Sequence, residues 1–143
     1  MLVGDVMTKS TAALRPTTAI AEAAKLMAKA KMGILPVVEG LEVVGIVTDR
    51  DITVRAVAEE RDPQSPVSSI MSRDVSVCEE SLPVGSALDQ MEREERRRLP
   101  VKSADGKIVG MVSLADAARG YDDMVKVIRV FNRVFARGGG QTG

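Results

Sequence analysis

The sequence predicts an α/β (α+β) chain: two copies of one strand–helix–strand–strand–helix unit, followed by a single amphipathic helix. Three observations carry this. First, segments recur in order: VGDVMTKS (3–10) answers to VSSIMSRD (67–74), LPVV (35–38) to LPVK (99–102), and VVGIVTDRDI (43–52) to IVGMVSLADA (108–117). Second, an apolar stripe at helical spacing, Ile20, Ala23, Ala24 and Met27, repeats as Val84, Ala87, Leu88 and Met91. Third, each stripe is followed by two short β-rich runs joined by a Gly-containing turn.

Taken in chain order, Thr17 and Ser81 precede the two stripes as expected N-caps. The β runs fall at 34–38 with 42–47 and at 99–102 with 107–112, and a short extra strand is expected near 11–14 and 75–78. The second copy carries one additional residue near Asp105-Gly106, where a type I′ hairpin turn would absorb it. A shorter helix follows each strand pair. The boundaries are 3–58 for the first repeat, 59–66 (EERDPQSP) for a linker, 67–119 for the second repeat, 121–137 for a C-terminal helix and 138–143 for a disordered tail. Units this short cannot bury both faces of a small sheet alone, so the expectation is a pair packed about a pseudo-two-fold axis around one shared core.

Composition narrows the chemistry. With 45% apolar residues but only 2% aromatics, the core must be built from Val, Ile, Leu, Met and Ala. Lys plus Arg and Asp plus Glu both number 20, and this absence of basic excess argues against nucleic acid as a partner. There is no His and one Cys, which excludes His-based acid–base catalysis, Cys/His zinc sites and an intrachain disulfide. Cys78 is read as a strand residue, not a nucleophile, because no His can activate it. MLVGDVMTKS lacks the apolar core of a signal peptide, and no apolar run approaches the roughly 20 residues that span a bilayer. A cytoplasmic protein without membrane association is expected, and not an enzyme.

The sharpest feature is a hydroxyl three residues before a carboxylate, twice, where an apolar strand stops: Thr48 with Asp51, and Ser113 with Asp116. One reading is structural, with the hydroxyl capping the next helix and the Asp reaching back to the cap N–H, as in a capping box. The other is a ligand site. A helix start carries free N–H groups and partial positive charge that suit phosphate. The carboxylate can accept hydrogen bonds from a ribose diol, and Ile46 and Met111 just upstream could flank a base. The two roles are compatible.

These residues, with the opening Val3-to-Met7 and Val67-to-Met71 segments, the two LPV segments, GIVTDRD and GMVSLAD, resemble a tandem pair of cystathionine-β-synthase (CBS) domains over nearly all of 3–119. The resemblance implies a βαββα unit, paired, that senses adenosine-containing ligands: AMP, ADP, ATP, and in some cases S-adenosylmethionine or NAD. It implies that Asp51 and Asp116 take ribose in the cleft between repeats while Thr48 and Ser113 contact phosphate. Residues before the LPV proline are implied to contact phosphate across the pair; here they are Arg97 and Arg98 in one copy but Gly33 and Ile34 in the other. Arginine's planar fork suits phosphate. The Thr48 site is therefore expected to prefer a more highly charged ligand than the Ser113 site, whose nearest cation would be Arg50. Arg96 is assigned to the end of a charged helix.

In the tail, Met124, Val127, Ile128, Phe131, Val134 and Phe135 form an apolar stripe, with Asp122 and Asp123 before it and Arg133 and Arg137 near its end. It must be covered by its own module, a second copy, or a regulated partner. Such modules commonly form disc-like dimers, so the resemblance implies a homodimer that this helix would reinforce. The expected function is a regulatory module that binds an adenosine nucleotide reversibly and modulates an unidentified partner protein, with no cofactor or metal required. The alternative is a ligand-free interaction module whose Thr/Ser-x-x-Asp segments only cap helices.

Overall fold

A computed structural model describes residues 1–136. Arg137 and the 138–143 tail lie outside the described residues. In chain order the elements are α1 (Val3–Val6), β1 (Thr8–Lys9), α2 (Ile20–Ala30), β2 (Ile34–Glu39), β3 (Glu42–Thr48) and α3 (Asp49–Asp51), which continues into a wider π-helical stretch, Ile52–Val57. A 3₁₀ turn (Val67–Ser69) follows, then β4 (Cys78–Glu79), α4 (Val84–Glu94), β5 (Arg98–Lys102), β6 (Ile108–Ser113), α5 (Leu114–Arg119) and α6 (Met124–Phe135). The mixed α/β architecture and the duplicated order match the expectation.

The packed units are not the contiguous repeats. One comprises Ala12–Val75; the other joins Met1–Thr11 to the chain from Ser76 onward. In the first, β2 and β3 form an antiparallel hairpin with a register shift between Val37 and Val38. Leu14 bridges Val37 in parallel, and Ser72 bridges Ile46 antiparallel. Its core gathers Leu14, Ile20, Ala23, Met27, Leu35, Val37 and Val47 with Val67, Ile70 and Met71, which open the second sequence repeat. In the other unit a four-stranded sheet runs β1-β6-β5-β4. There β1 pairs with β6 through Thr8↔Met111, and Val3 enters a core of Val84, Ala87, Leu88, Met91, Leu99, Val101 and Val112. Each unit thus uses the opening segment of the other repeat. The contact is the same in both: Thr8 beside Met111 is matched by Ser72 beside Ile46.

The glycine of each second hairpin strand explains the opening Met. A Cβ on Gly110 would lie 2.5 Å from the Thr8 carbonyl oxygen and 2.8 Å from Met7 Sδ, and a Cβ on Gly45 would collide with Met71 Sδ. The thioether fills the space that glycine leaves over the strand, a use that suits an unbranched, adaptable side chain.

Several local expectations are corrected. Thr17 and Ser81 cap nothing: the N-cap positions are Ala19 and Pro83, without side-chain caps. Neighbouring backbone does the work instead, since Ile20 N–H donates to Ser65 O, Ala21 N–H to Pro63 O and Val84 N–H to Met1 O. The 59–66 segment is thereby tied to the start of α2. Ala24 is exposed, whereas all four residues of the α4 stripe are buried. The β5–β6 turn is not type I′, because Gly106 has φ 86° while Asp105 keeps φ negative. Gly106, the left-handed last residue of the Ser103–Gly106 turn, accommodates the added residue.

The strand glycines differ in what a methyl group would strike. Gly110→Ala meets a backbone carbonyl that cannot move away, and Gly45→Ala meets mainly the flexible Met71 thioether, with Ser72 O at 3.2 Å. Overpacking of this kind costs roughly 1–3 kcal/mol. Thermal melts should therefore show Gly110→Ala losing more stability than Gly45→Ala; an equal loss would mean that the sheet, not the thioether, limits both sites.

Candidate functional site

Each hairpin's second strand ends in a hydroxyl residue that starts a helix, and both starts close in the same way. Thr48 Oγ1 accepts the Asp51 N–H at 3.0 Å while Asp51 Oδ2 accepts the Thr48 N–H at 2.9 Å. Ser113 Oγ accepts the Asp116 N–H and Asp116 Oδ2 accepts the Ser113 N–H, both at 3.0 Å. These are reciprocal capping boxes with Asp in place of the usual Glu or Gln. Thr48 is 2% exposed and Asp116 8%. Buried polar groups of this kind are tolerated because they are paired.

The caps use one oxygen of each carboxylate. The other, Oδ1, differs between units. Asp51 Oδ1 has the Arg55 Nε at 3.7 Å, beyond hydrogen-bond reach, whereas Asp116 Oδ1 is hydrogen-bonded to the Arg119 guanidinium. Both arginines were missed in the sequence, although the i+4 and i+3 spacings from Asp51 and Asp116 are those that meet on a helix face. Each cap hydroxyl accepts an N–H and still has its own O–H to donate.

The other residues expected at the site are distributed as follows. Ile34 pairs with Thr48, and Arg98 with Ser113, so the residue before each LPV sequence-neighbour Leu lies directly beside the cap of its own unit. Ile34, Ile46 and Met111 are 5%, 3% and 5% exposed. Arg50 is exposed and lines an open depression of about 300 Å³ with Asp49, Thr53 and Val54. At Gly33, the absent side chain is replaced by the Asp49 carboxylate, whose oxygen lies 2.8 Å from where a Cβ would stand. Arg97, its counterpart, stacks its guanidinium 5.3 Å above the Phe135 ring, with Nε buried and lacking a hydrogen-bond acceptor. Arg96 is 7% exposed.

Other chemistries find little support among the described residues. Cys78 lies buried in β4, and burial pushes its thiol up to about 12, so it stays protonated near neutral pH. No group of three or more His, Cys, Asp or Glu is placed to hold a metal ion. Among the described residues, no helix is long and apolar enough to cross a membrane.

The family model described as the CBS domain matches residues 3–57 and again 67–123. The chain is a CBS-domain pair. A CBS domain-containing protein of Bacillus subtilis (strain 168), YhcV, is 39% identical over 116 residues, covering 81% of this chain and 82% of the relative. Among solved structures, the CBS domain pair of protein MJ0100, in complex with 5-methylthioadenosine and S-adenosyl-L-methionine, superposes with a TM-score of 0.69 at 30% identity, covering 83% of this chain and 94% of that one. CBSX2 in complex with AMP superposes with a TM-score of 0.65 at 26% identity, over 83% and 94% of the two chains. The reciprocal caps and the methionines over the strand glycines are thus the physical content of this CBS pair's repeated motifs.

Removing either carboxylate leaves a part-buried cap N–H without its acceptor. Asp51→Ala and Asp116→Ala should each cost about 1–2 kcal/mol, a melting shift of roughly 2–8 °C at this size. Asp116→Ala should cost the more, since Asp116 is the more buried and also holds Arg119. Asp51→Asn, which keeps an acceptor oxygen, should recover most of the Asp51→Ala loss. Unchanged melts for both alanine variants would show that the carboxylates do not hold these helix starts.

Proposed function

We propose that this CBS pair is a regulatory ligand-sensing module that reversibly binds an adenosine-containing nucleotide, of the AMP, ADP or ATP class, and passes its bound state to a partner protein. The observation that carries the reading is the state of the two Thr/Ser-x-x-Asp turns. Each cap leaves a carboxylate oxygen and a hydroxyl proton outside the reciprocal pair, the acceptor and donor that a ribose diol and a phosphate require. The AMP complex of CBSX2 and the methylthioadenosine and S-adenosylmethionine complex of the MJ0100 pair support the adenosine class.

In this reading Asp51 and Asp116 take ribose hydroxyls, Thr48 and Ser113 donate to phosphate, and Ile34, Ile46 and Met111 supply apolar surface for the base. Arg50, Arg97 and Arg98 are the phosphate candidates. Arg97 is engaged with Phe135, so recruiting it means breaking that stacking. Asp51 is the readier of the two carboxylates, because Asp116 must first release Arg119. A second reading, a ligand-free interaction module, is favoured by one fact: the reciprocal caps already give every one of these four side chains a structural task.

Thermal shift against AMP, ADP, ATP, S-adenosylmethionine and NAD separates the readings. A ligand at a hundred times its Kd stabilises the native chain by about 2.7 kcal/mol, or roughly 5–10 °C here. At least one adenosine ligand should produce such a rise, and Asp51→Asn should reduce it while melting close to the parent without ligand. A flat response across the panel would favour the interaction module.

A further inference from the structure

The α6 helix meets its unit through two kinds of polar contact. Along one flank each cation has a carboxylate: Lys126 with Asp89 at 2.7 Å, Arg129 with Glu92 at 2.9 Å and Arg133 with Glu95 at 3.2 Å. At the last residue the pattern changes. Phe135 presents its ring to the Arg97 guanidinium, 5.3 Å from the centroid, and Arg97 forms no ion pair among the described residues. The two carboxylates nearest in the chain are engaged elsewhere, Glu94 with Ser76 and Glu95 with Arg133. Arg97 Nε is buried without an acceptor. A full charge and a fork of donors are thus held by a ring quadrupole, a weaker hold than an anion gives.

The backbone at Arg97 is fixed where the side chain is not. Its carbonyl accepts the Leu114 N–H at 2.7 Å, which sets the residue against the helix start that Ser113 caps. The matching contact in the other unit, Asp49 N–H to Gly33 O at 2.8 Å, carries no side chain to hold. Phe135 is the last residue of α6, beyond the buried Val134, so its ring can leave without uncovering the valines that anchor the helix. Helix ends of this kind open at low cost.

We infer, building on the nucleotide-binding role proposed above, that Phe135 makes an autoinhibitory contact: it withholds Arg97, and a phosphate-bearing nucleotide gains that arginine only by displacing the ring. Charge decides the ligand class. A phosphate offers Arg97 parallel hydrogen bonds and compensates its charge, enough to replace a cation–π contact. An adenosine ligand without phosphate offers neither and leaves the ring in place. The two events are linked in both directions. Whatever holds the end of α6 down weakens phosphate binding by the same factor by which phosphate loosens the end of α6. The end of α6 therefore reports whether the bound ligand carries phosphate.

Calorimetric titration with ATP and with adenosine tests this on the full chain, on Phe135→Leu, on Arg97→Gln and on the double variant. Phe135→Leu keeps an apolar side chain at the helix end and removes the ring. It should bind ATP more tightly than the parent by roughly fivefold to thirtyfold, and adenosine as the parent does. With Arg97→Gln already in place, Phe135→Leu should change neither affinity. In the parent, the Phe135 ring proton signals, assigned by their loss in Phe135→Leu, should move with ATP far more than with adenosine. Equal ATP affinity in parent and Phe135→Leu, a gain shared by adenosine, a gain that survives Arg97→Gln, or ring signals that ATP does not move would overturn the inference and leave nucleotide binding standing. A parent that binds neither probe would overturn the proposed function, and the autoinhibitory contact with it.

Discussion

Two reciprocal pairs of hydrogen bonds fix where each hairpin stops and its helix begins. At Thr48 and Ser113 the strand's last N–H would otherwise be a part-buried donor without a partner. The Asp three residues on accepts it and returns its own N–H to the hydroxyl. Asp is shorter than the Glu common at this position, so its carboxylate stays close to the turn. One oxygen is spent on the cap and the other remains at the edge of the helix start. The same geometry that satisfies the backbone therefore sets out a pair of polar atoms at each turn, and any ligand chemistry there is borrowed from a structural device.

The strands that carry these turns are held in place by exchange. Each hairpin accepts a short segment from the opening of the other repeat, Thr8 against Met111 in one unit and Ser72 against Ile46 in the other. A thioether lies over the strand glycine beside it. A bare glycine in a strand weakens it; here the missing side chain is replaced by sulfur from a distant part of the chain. Because Gly45 and Gly110 stand three residues before Thr48 and Ser113, the packing of each opening segment is felt directly at the strand end that becomes a cap.

The repeats, the helix stripes and both hairpins could be read from the sequence because they are local: periodicity reports which face of an element is buried. The caps could be read for the same reason, since Thr48 and Asp51 interact over three residues. Thr17 and Ser81 were misread because the acceptors that satisfy α2 and α4 are backbone carbonyls of residues 63, 65 and 1, which no cap pattern encodes. The exchange of opening segments was hidden by the duplication itself. A repeat pairs equally well on paper with either copy, because both strand positions are glycine and both opening segments offer a methionine. Likewise Arg97 reads as a free cation beside a proline, while its position over Phe135 depends on a helix that begins 27 residues later.

Asp51 and Asp116 serve the same cap but not the same second partner, and that difference makes the pair more than two equal copies. The most direct measurement is a crystal structure of the chain grown with AMP. The account places the ribose hydroxyls within about 2.6–3.2 Å of Asp51 Oδ1, with the Thr48 cap intact and its hydroxyl turned to the phosphate. AMP bound away from both Thr/Ser-x-x-Asp turns, or both turns unaltered and empty at saturating nucleotide, would contradict it.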